Sequence, residues 1–508
     1  MPNTKWIQNF KGYSDQASPG ASPIITSDLQ NVKILHGQVR PRGGMSKYQS
    51  ISTASSADII GLFHYPRISG TNSLLRMLPT KVEHLTGGAW ADITGTALTG
   101  SVTTRPQHTV IDDTLVFTNE GEDLPRKWAG SGNTTPIASS TSPYGKSVVH
   151  YLGFLLLGNV SDDGTFTDVT DGQRIIRYSD DWDNDWEGCA GNEIILHETA
   201  GNLLRMLVLG RDVMCYKDDG LVRVTWVGGN VVFKHEKVDF DIGFVSPLGI
   251  RRITDEMHIG LGNDGVLYLI TQSEVTPISF DTLFRTLPNT IGLGKLKYAR
   301  MLENSEEGIA YLLYDRTGLS NQLLNTYVAY NYREKVFFKG QLGKQIIAAE
   351  EHKSSNTSAV DLVMSTTTLV EEFDTGTGTD DDGTAVTSYW TTGYQDLGEE
   401  GWFYGARLIF EKPSSSLASI DVSVAIDGSG SFGFSETIRL SGGSAGDDFV
   451  EVSYKPTTPI WCNWINLKIR FKGNALTAGV ELRRVGLVSE GKLPVRKSAE
   501  RQQADLSL

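Results

Sequence analysis

The chain has 508 residues, 39% of them hydrophobic and 21% charged, with 46 Lys and Arg against 60 Asp and Glu for a formal charge of −14. That length exceeds one ordinary core and predicts two or three domains, and the composition excludes a natively disordered chain. So acidic a surface repels phosphate, which argues against tight wrapping of nucleic acid while still suiting a passage that DNA slides through.

The start, MPNTKWIQNFKGYSDQ, contains no apolar core segment and so reads as no secretion signal. Residues 1–50 are expected to form an extended N-terminal strap. From 51 to 370 helical periodicity is nearly absent. Short β-branched and aromatic runs bounded by turn residues recur instead: Leu203 to Tyr216, Gly220 to Val227, Val266 to Ile270 and Tyr327 to Phe338. The most apolar run, Val148 to Val160, is interrupted by His150, Gly153 and Gly158. It falls short of the roughly 18 residues that span a bilayer, which predicts a soluble protein. Asp-Gly pairs at 163–164, 219–220, 264–265 and 382–383 fit two-residue hairpins, whose turn needs positive φ. Tryptophans fall at Trp90, Trp128, Trp182 (or Trp186) and Trp226, with gaps of 38, 54 and 44 residues. A loose strand-rich period of about 40–50 residues predicts a β-propeller, with an irregular run of sandwich strands as the alternative.

After about residue 370 the character changes. Residues 371–388, including DTGTGTDDDGTAVTS, read as a Gly/Thr/Asp linker. Beyond it Ile465, Leu467, Ile469 and Phe471 alternate with Asn466, Lys468 and Arg470, one buried face and one wet face. Residues 389–490 are expected to form an antiparallel β-sandwich and 491–508 a flexible tail. The fold class is all-β: a propeller followed by a sandwich.

No motif carries a defensible active site. In RYSDDWDNDWEG (177–188), Asp181, Asp183 and Asp185 have calcium-loop spacing, but the sixth position is Trp186 and the twelfth Asn192, where Gly and Glu are required. Ser179, Asp181 and Trp186 echo an Asp-box, a structural hairpin turn, although Asp183 and Asp185 replace its Gly and Thr. Gly260, Gly262 and Gly265 match G-x-G-x-x-G, but a strand follows where a dinucleotide site needs a helix. Gly442-Gly-Ser444-Ala-Gly446 matches a nucleophile elbow with no histidine after it. Gly145-Lys146-Ser147 is half a phosphate loop, with Ser140 where the partner glycine belongs. The nine histidines are scattered. The three cysteines (Cys189, Cys215, Cys462) match no metal spacing and predict free thiols. A sialidase-type site would need converging arginines. Arg174, Arg177, Arg223, Arg251 and Arg252 are the candidates, and alternation along a strand would let at most one of Arg251 and Arg252 line a site. Catalytic, cofactor-binding and metal residues are therefore expected to be absent, and the protein is expected not to be an enzyme.

The stretch NFKGYSDQASPGASPIITSDLQNVKILHGQVRPRGGMSKY (9–48), with Asn31-Val32 and the Arg/Pro/Gly strand 40–44, resembles the start of phage tail proteins. RIIRYSDDWDNDW (174–186) and YWTTGYQDLG (389–398) resemble later segments of the same proteins. The family is the tail hub or nozzle component of tailed bacteriophages, similar to the DNA-stabilisation proteins of short-tailed phages. The resemblance implies a structural virion protein without catalytic residues or cofactors. It would form a homo-oligomeric ring, commonly of six subunits, below the portal and adaptor proteins at the head-to-tail junction. Such a ring contacts tail fibres or tailspikes, retains the genome, and lets DNA pass its lumen at ejection without specific binding. Assembly in the host cytoplasm and a place in the virion tail follow. The rival expectation is a carbohydrate-active or glycan-binding propeller, sialidase-like or tailspike-like; a receptor-binding adhesin is a third.

Overall fold

Six four-stranded antiparallel sheets and a seventh, six-stranded one succeed each other along the chain. Their first strands are Gly61–Tyr65, Gln107–Ile111, Tyr144–Tyr151, Leu203–Leu209, Ile250–Thr254, Arg300–Asn304 and Ala348–His352. This computed structural model describes residues 2–16, 24–68, 71–137, 143–161, 172–179, 192–229, 231–238, 242–283, 296–315, 323–375, 380–393, 395–411, 418–427, 429, 431–440, 449–472, 475 and 479–490.

The sheets are blades of a seven-bladed β-propeller. First strands of neighbouring blades adjoin one another from blade 2 through blade 7 and back to blade 1, and the Phe63 and His108 rings, 4.8 Å apart, close the step from blade 1 to blade 2. The first seams each have their own apolar core, whereas blades 5, 6 and 7 share one. Phe63, Leu75, Phe117 and Trp128 fill the first, Val116, Val148, Leu155 and Leu157 the second, and Leu156, Ile176, Met206 and Val222 the third. Burial of this kind, at about 25 cal/mol per Å² of apolar surface, is what holds blades face to face.

The ring closes through the N-terminus. Strand Gly44–Lys47 pairs antiparallel with Val370–Thr375 of blade 7, setting Met45 opposite Phe373 and Lys47 opposite Glu371. The described part of residues 1–50, expected as a strap, is thus built into the fold. The range 371–388, expected as a linker, carries the end of that blade strand and the hairpin Asp380–Asp381/Thr384–Ala385. In its turn Asp382 and Gly383 both take positive φ (44° and 90°), the geometry that Asp-Gly favours. Phe373 is buried and Asp381 is held by Arg42, so this segment does bury side chains.

A Cβ on Gly44 would stand 2.1 Å from the backbone oxygen of Asp380, and one on Gly43 2.0 Å from that of Thr375. Gly44→Ala should therefore force the closing strand off its partners at about 1–3 kcal/mol. The check is a lower thermal midpoint together with faster proteolytic cleavage within residues 1–50.

Strands from 388 to 490 join N-terminal strands in one branched sheet of eleven. The expected two-sheet sandwich is not what this pairing produces; the sheet curls on itself, nearly closed like a barrel. The cause lies in Gln395–Glu411, which pairs first with Ile460–Phe471 and then with Phe449–Tyr454 along one edge, and with Glu481–Glu490 along the other. Register shifts at Asp396/Gly401, Phe403/Gly405 and Ile409/Phe410 bend it. The predicted alternation holds, with Ile465, Leu467, Ile469 and Phe471 facing inward. Trp390 is fully buried against Phe10 at 4.6 Å, in a core continuous with blades 5, 6 and 7. Among the described residues no helix is long and apolar enough to cross a membrane.

Candidate functional site

The blades' first strands line the propeller axis, and polar side chains from six of them meet there. His64, His108, Arg205, Arg251, Glu303 and Glu350, from blades 1, 2, 4, 5, 6 and 7, enclose a cavity of about 550 Å³. It adjoins a void of about 30 Å³ at which Gln107, His108, Arg205, Arg251, Arg300 and Glu350 meet, room for a water molecule or the head of a small anion.

Several of these side chains tie blades that are not neighbours. Arg251 Nη2 donates to Glu350 Oε1 at 2.6 Å, joining blade 5 to blade 7. Arg300 Nη2 donates to the Ile60 carbonyl at 2.8 Å, joining blade 6 to the start of blade 1. Gln107 Nε2 donates to the Leu204 carbonyl at 3.0 Å, joining blades 2 and 4. Ser147 of the half phosphate loop is buried between them. Its hydroxyl donates to Gln107 Oε1 at 3.0 Å and accepts from the Met206 amide at 2.9 Å, so it serves as a seam residue. Arg205 Nη1 donates to the carbonyls of Pro247 (3.0 Å) and Ile250 (2.6 Å).

Burial sets the charge states. It lowers the Arg205 guanidinium to about 10, helped by Arg251, and Arg300 to about 9, helped by Arg105 and Arg205; both stay charged at neutral pH. Burial works against the Arg251 cation, but Glu350, Glu303 and Glu351 outweigh it and the net shift is upward. Burial likewise opposes the Glu350 carboxylate, and Arg251 and His108 reverse the sign, so Glu350 ionises more readily than usual. Glu303 is pushed up to about 7 by burial, with Arg251 opposing and Glu351 assisting. Burial takes His108 and His352 down to about 4 and also lowers His64. The His64 and His352 Nδ1 atoms are 3.0 Å apart, one donating to the other as neutral rings.

Of the five arginines singled out from sequence, Arg251 and Arg252 line the cavity. Alternation holds between them, Arg251 opposite Ile259 and Arg252 opposite His258, and of the two it is Arg251 that is the more buried, its side chain 21% exposed against 46% for Arg252. Arg252 pairs with Asp255. Arg177 pairs with Glu193 at 3.1 Å within blade 3, and Arg223 with Glu236 within blade 4. Arg174 ends the turn before the third strand of blade 3, so these three do not join the axial group. Gly260, Gly262 and Gly265 form a hairpin, with the Gly265 amide donating to the Gly262 carbonyl at 3.1 Å. Cys215 and Cys462 are unpaired and buried. Asp181, Asp183, Asp185, Trp186, Cys189 and Gly442 to Gly446 lie outside the described residues. Among the described residues no group of three or more His, Cys, Asp or Glu could hold a metal ion.

Sequence reasoning missed Arg205, Arg300, His108 and Glu350. The available signal was at least one charged or imidazole residue inside the first strand of every unit.

No protein-family model matches the chain, and no curated protein matches it significantly. Among solved structures it is similar to the Pan2 WD40 domain of Neurospora crassa (8% identity, 65% of this chain and 94% of that one, TM-score 0.37). It is also similar to YCF48 from Cyanidioschyzon merolae (9%, 65% and 98%, 0.37) and to an exo-β-1,3-galactanase from Phanerochaete chrysosporium (9%, 85% and 100%, 0.28). Likenesses this distant say nothing about chemistry; the seven blades follow from the sheet pairing itself.

Proposed function

We propose that the chain is a structural subunit of a phage tail, assembling as a ring below the portal and adaptor that retains the genome and passes it at ejection. The observation that carries this reading is where large apolar side chains reach solvent. Trp402 (38% exposed), Trp461 (46%), Trp6 (40%) and Phe449 (60%) all stand on the eleven-stranded sheet, away from the axial cavity. Trp402 and Trp461 sit directly opposite each other in register, ring centres 4.7 Å apart. Exposed aromatic surface on one sheet, with Trp402 and Trp461 packed as a pair, favours a contact between subunits over a reaction centre. The resemblance of residues 9–48 and 389–398 to tail hub proteins supplies the identity of the assembly.

The test is imaging and mass measurement of the purified chain, alone and with portal and adaptor. Rings are expected for the parent, and folded monomers for Trp402→Ser/Trp461→Ser. A parent chain that stays monomeric and never joins a tail refutes the proposal.

A glycan-processing propeller is the second reading. Glu303, Glu350 and Glu351 lining one cavity with Arg251 favours it. It predicts turnover of sialosides or host capsule polysaccharide that falls at least about a hundredfold in Glu303→Gln. No turnover by the parent ends that reading.

A further inference from the structure

We propose that the propeller axis holds a specific binding site for a small oxyanion, a phosphate or carboxylate group, seated where Arg205, Arg251, Arg300 and His108 converge. The inference is independent of any tail role.

Three guanidinium groups line the 30 Å³ void, and Glu350 is the one carboxylate lining it with them. Glu350 is committed to Arg251 at 2.6 Å. Arg205 uses Nη1 on two carbonyls, and its Nε and Nη2 have no hydrogen-bond acceptor among the described residues. Arg300 uses Nη2 on Ile60, and its Nε and Nη1 likewise have none. Arg300 is only 9% exposed. His108 faces the same space, packs its ring on Phe63, and makes no hydrogen bond to a described residue. Arg205 and Arg251 are half-buried, so the free donors of this group face the cavity, where a counter-charge and acceptors are gained at less cost than in bulk water. Among the described residues one carboxylate lines the void with three guanidiniums, and Glu303 and Glu351 act on Arg251 from the larger cavity, so Arg205 and Arg300 are the cations left without a direct carboxylate partner. An anion with several oxygens supplies both needs at once, because planar guanidinium donors match phosphate and carboxylate oxygens.

The adjoining cavity of about 550 Å³ opens above the void and leaves room for the rest of a ligand that carries the anion. Its acids Glu303, Glu351 and Asp255 are accompanied by Arg252 and Lys353, so the lining sets no single charge for the rest of the ligand.

Calorimetric titration of the full chain with inorganic phosphate and, separately, with acetate tests this, with urea as a neutral control. Saturable one-to-one binding of at least one anion, with a rise in thermal midpoint, is expected. Preference for phosphate points to a phosphoryl ligand, and preference for acetate to a carboxylate one. Arg205→Met should weaken binding at least about tenfold. Glu350→Gln removes the competing carboxylate and should tighten it several-fold, an opposite sign that misfolding would not mimic. If Arg205→Met fails to fold, Glu350→Gln decides. No saturable binding of either anion, binding unchanged in Arg205→Met, or affinity unimproved in Glu350→Gln overturns the proposal.

Discussion

Arg42→Met is expected to destabilise the protein by about 3–5 kcal/mol, the range for removing one partner of a buried ion pair. Arg42 and Asp381 are each 1% exposed, with Nη2 to Oδ2 at 2.7 Å and Nη1 to Oδ1 at 2.8 Å. Arg42 Nη2 also donates to the Gln341 carbonyl at 3.0 Å, and Nε to Asn31 Oδ1 at 3.2 Å. One side chain therefore links the N-terminal segment, blade 6 and the outer hairpin of the blade 7 sheet. In the variant Asp381 is left buried with its charge uncompensated. The Gly343 amide still donates to it at 2.6 Å, too little to replace a guanidinium. Denaturant unfolding read by tryptophan fluorescence measures the loss. The double variant Arg42→Met/Asp381→Leu should lose clearly less than the sum of the two single variants, because neither leaves an orphaned charge in the other's presence. Additive losses would show that the pair does not couple closure to stability.

The second large effect concerns Glu371, in the blade 7 strand that the N-terminus completes. Its side chain is fully buried, and neither carboxylate oxygen finds a donor among the described residues. Burial pushes it up to about 7; Asp382 and Asp381 add to the shift, and Lys344 and Lys47 oppose it. A carboxyl whose folded pKa exceeds its unfolded value of 4.5 contributes stability fully below about pH 4.5 and loses it as pH rises towards 7. Ionisation at higher pH sets a bare charge in the closing sheet. The parent should lose on the order of 3 kcal/mol between those limits from this group, and Glu303 adds a slope of the same sign. Glu371→Gln keeps the shape and cannot ionise, so its stability profile across that window should be flatter and its midpoint higher at pH 8. A variant whose profile parallels the parent's would remove Glu371 as the cause.

Closure and axis together describe how this chain holds a ring of sheets. Lys33 reinforces the same junction, buried with Glu307 and Asp374 each 2.7 Å away. The seams between blades are apolar, and the axis is polar and cross-tied.

Local chemistry was legible in the sequence. Strand runs such as Val266 to Ile270, the Asp382-Gly383 turn and the alternation Ile465 to Phe471 announced an all-β chain with blade-like repeats, because strand period and turn conformation depend on residues within a few positions of each other. The tryptophan spacing did not mark a fixed place in the blade: Trp90 lies in a fourth strand, Trp128 and Trp226 in third strands. Only the tertiary structure decided that Gly44–Lys47 completes a sheet with Val370–Thr375, that residues 388–490 curl into one bent sheet rather than two, and that Arg205, Arg251, Arg300 and Glu350 meet on an axis. Each of those joins residues tens to hundreds of positions apart. Their pairing energy comes from ring closure and shared burial, and neither leaves a mark on neighbouring residues in the chain.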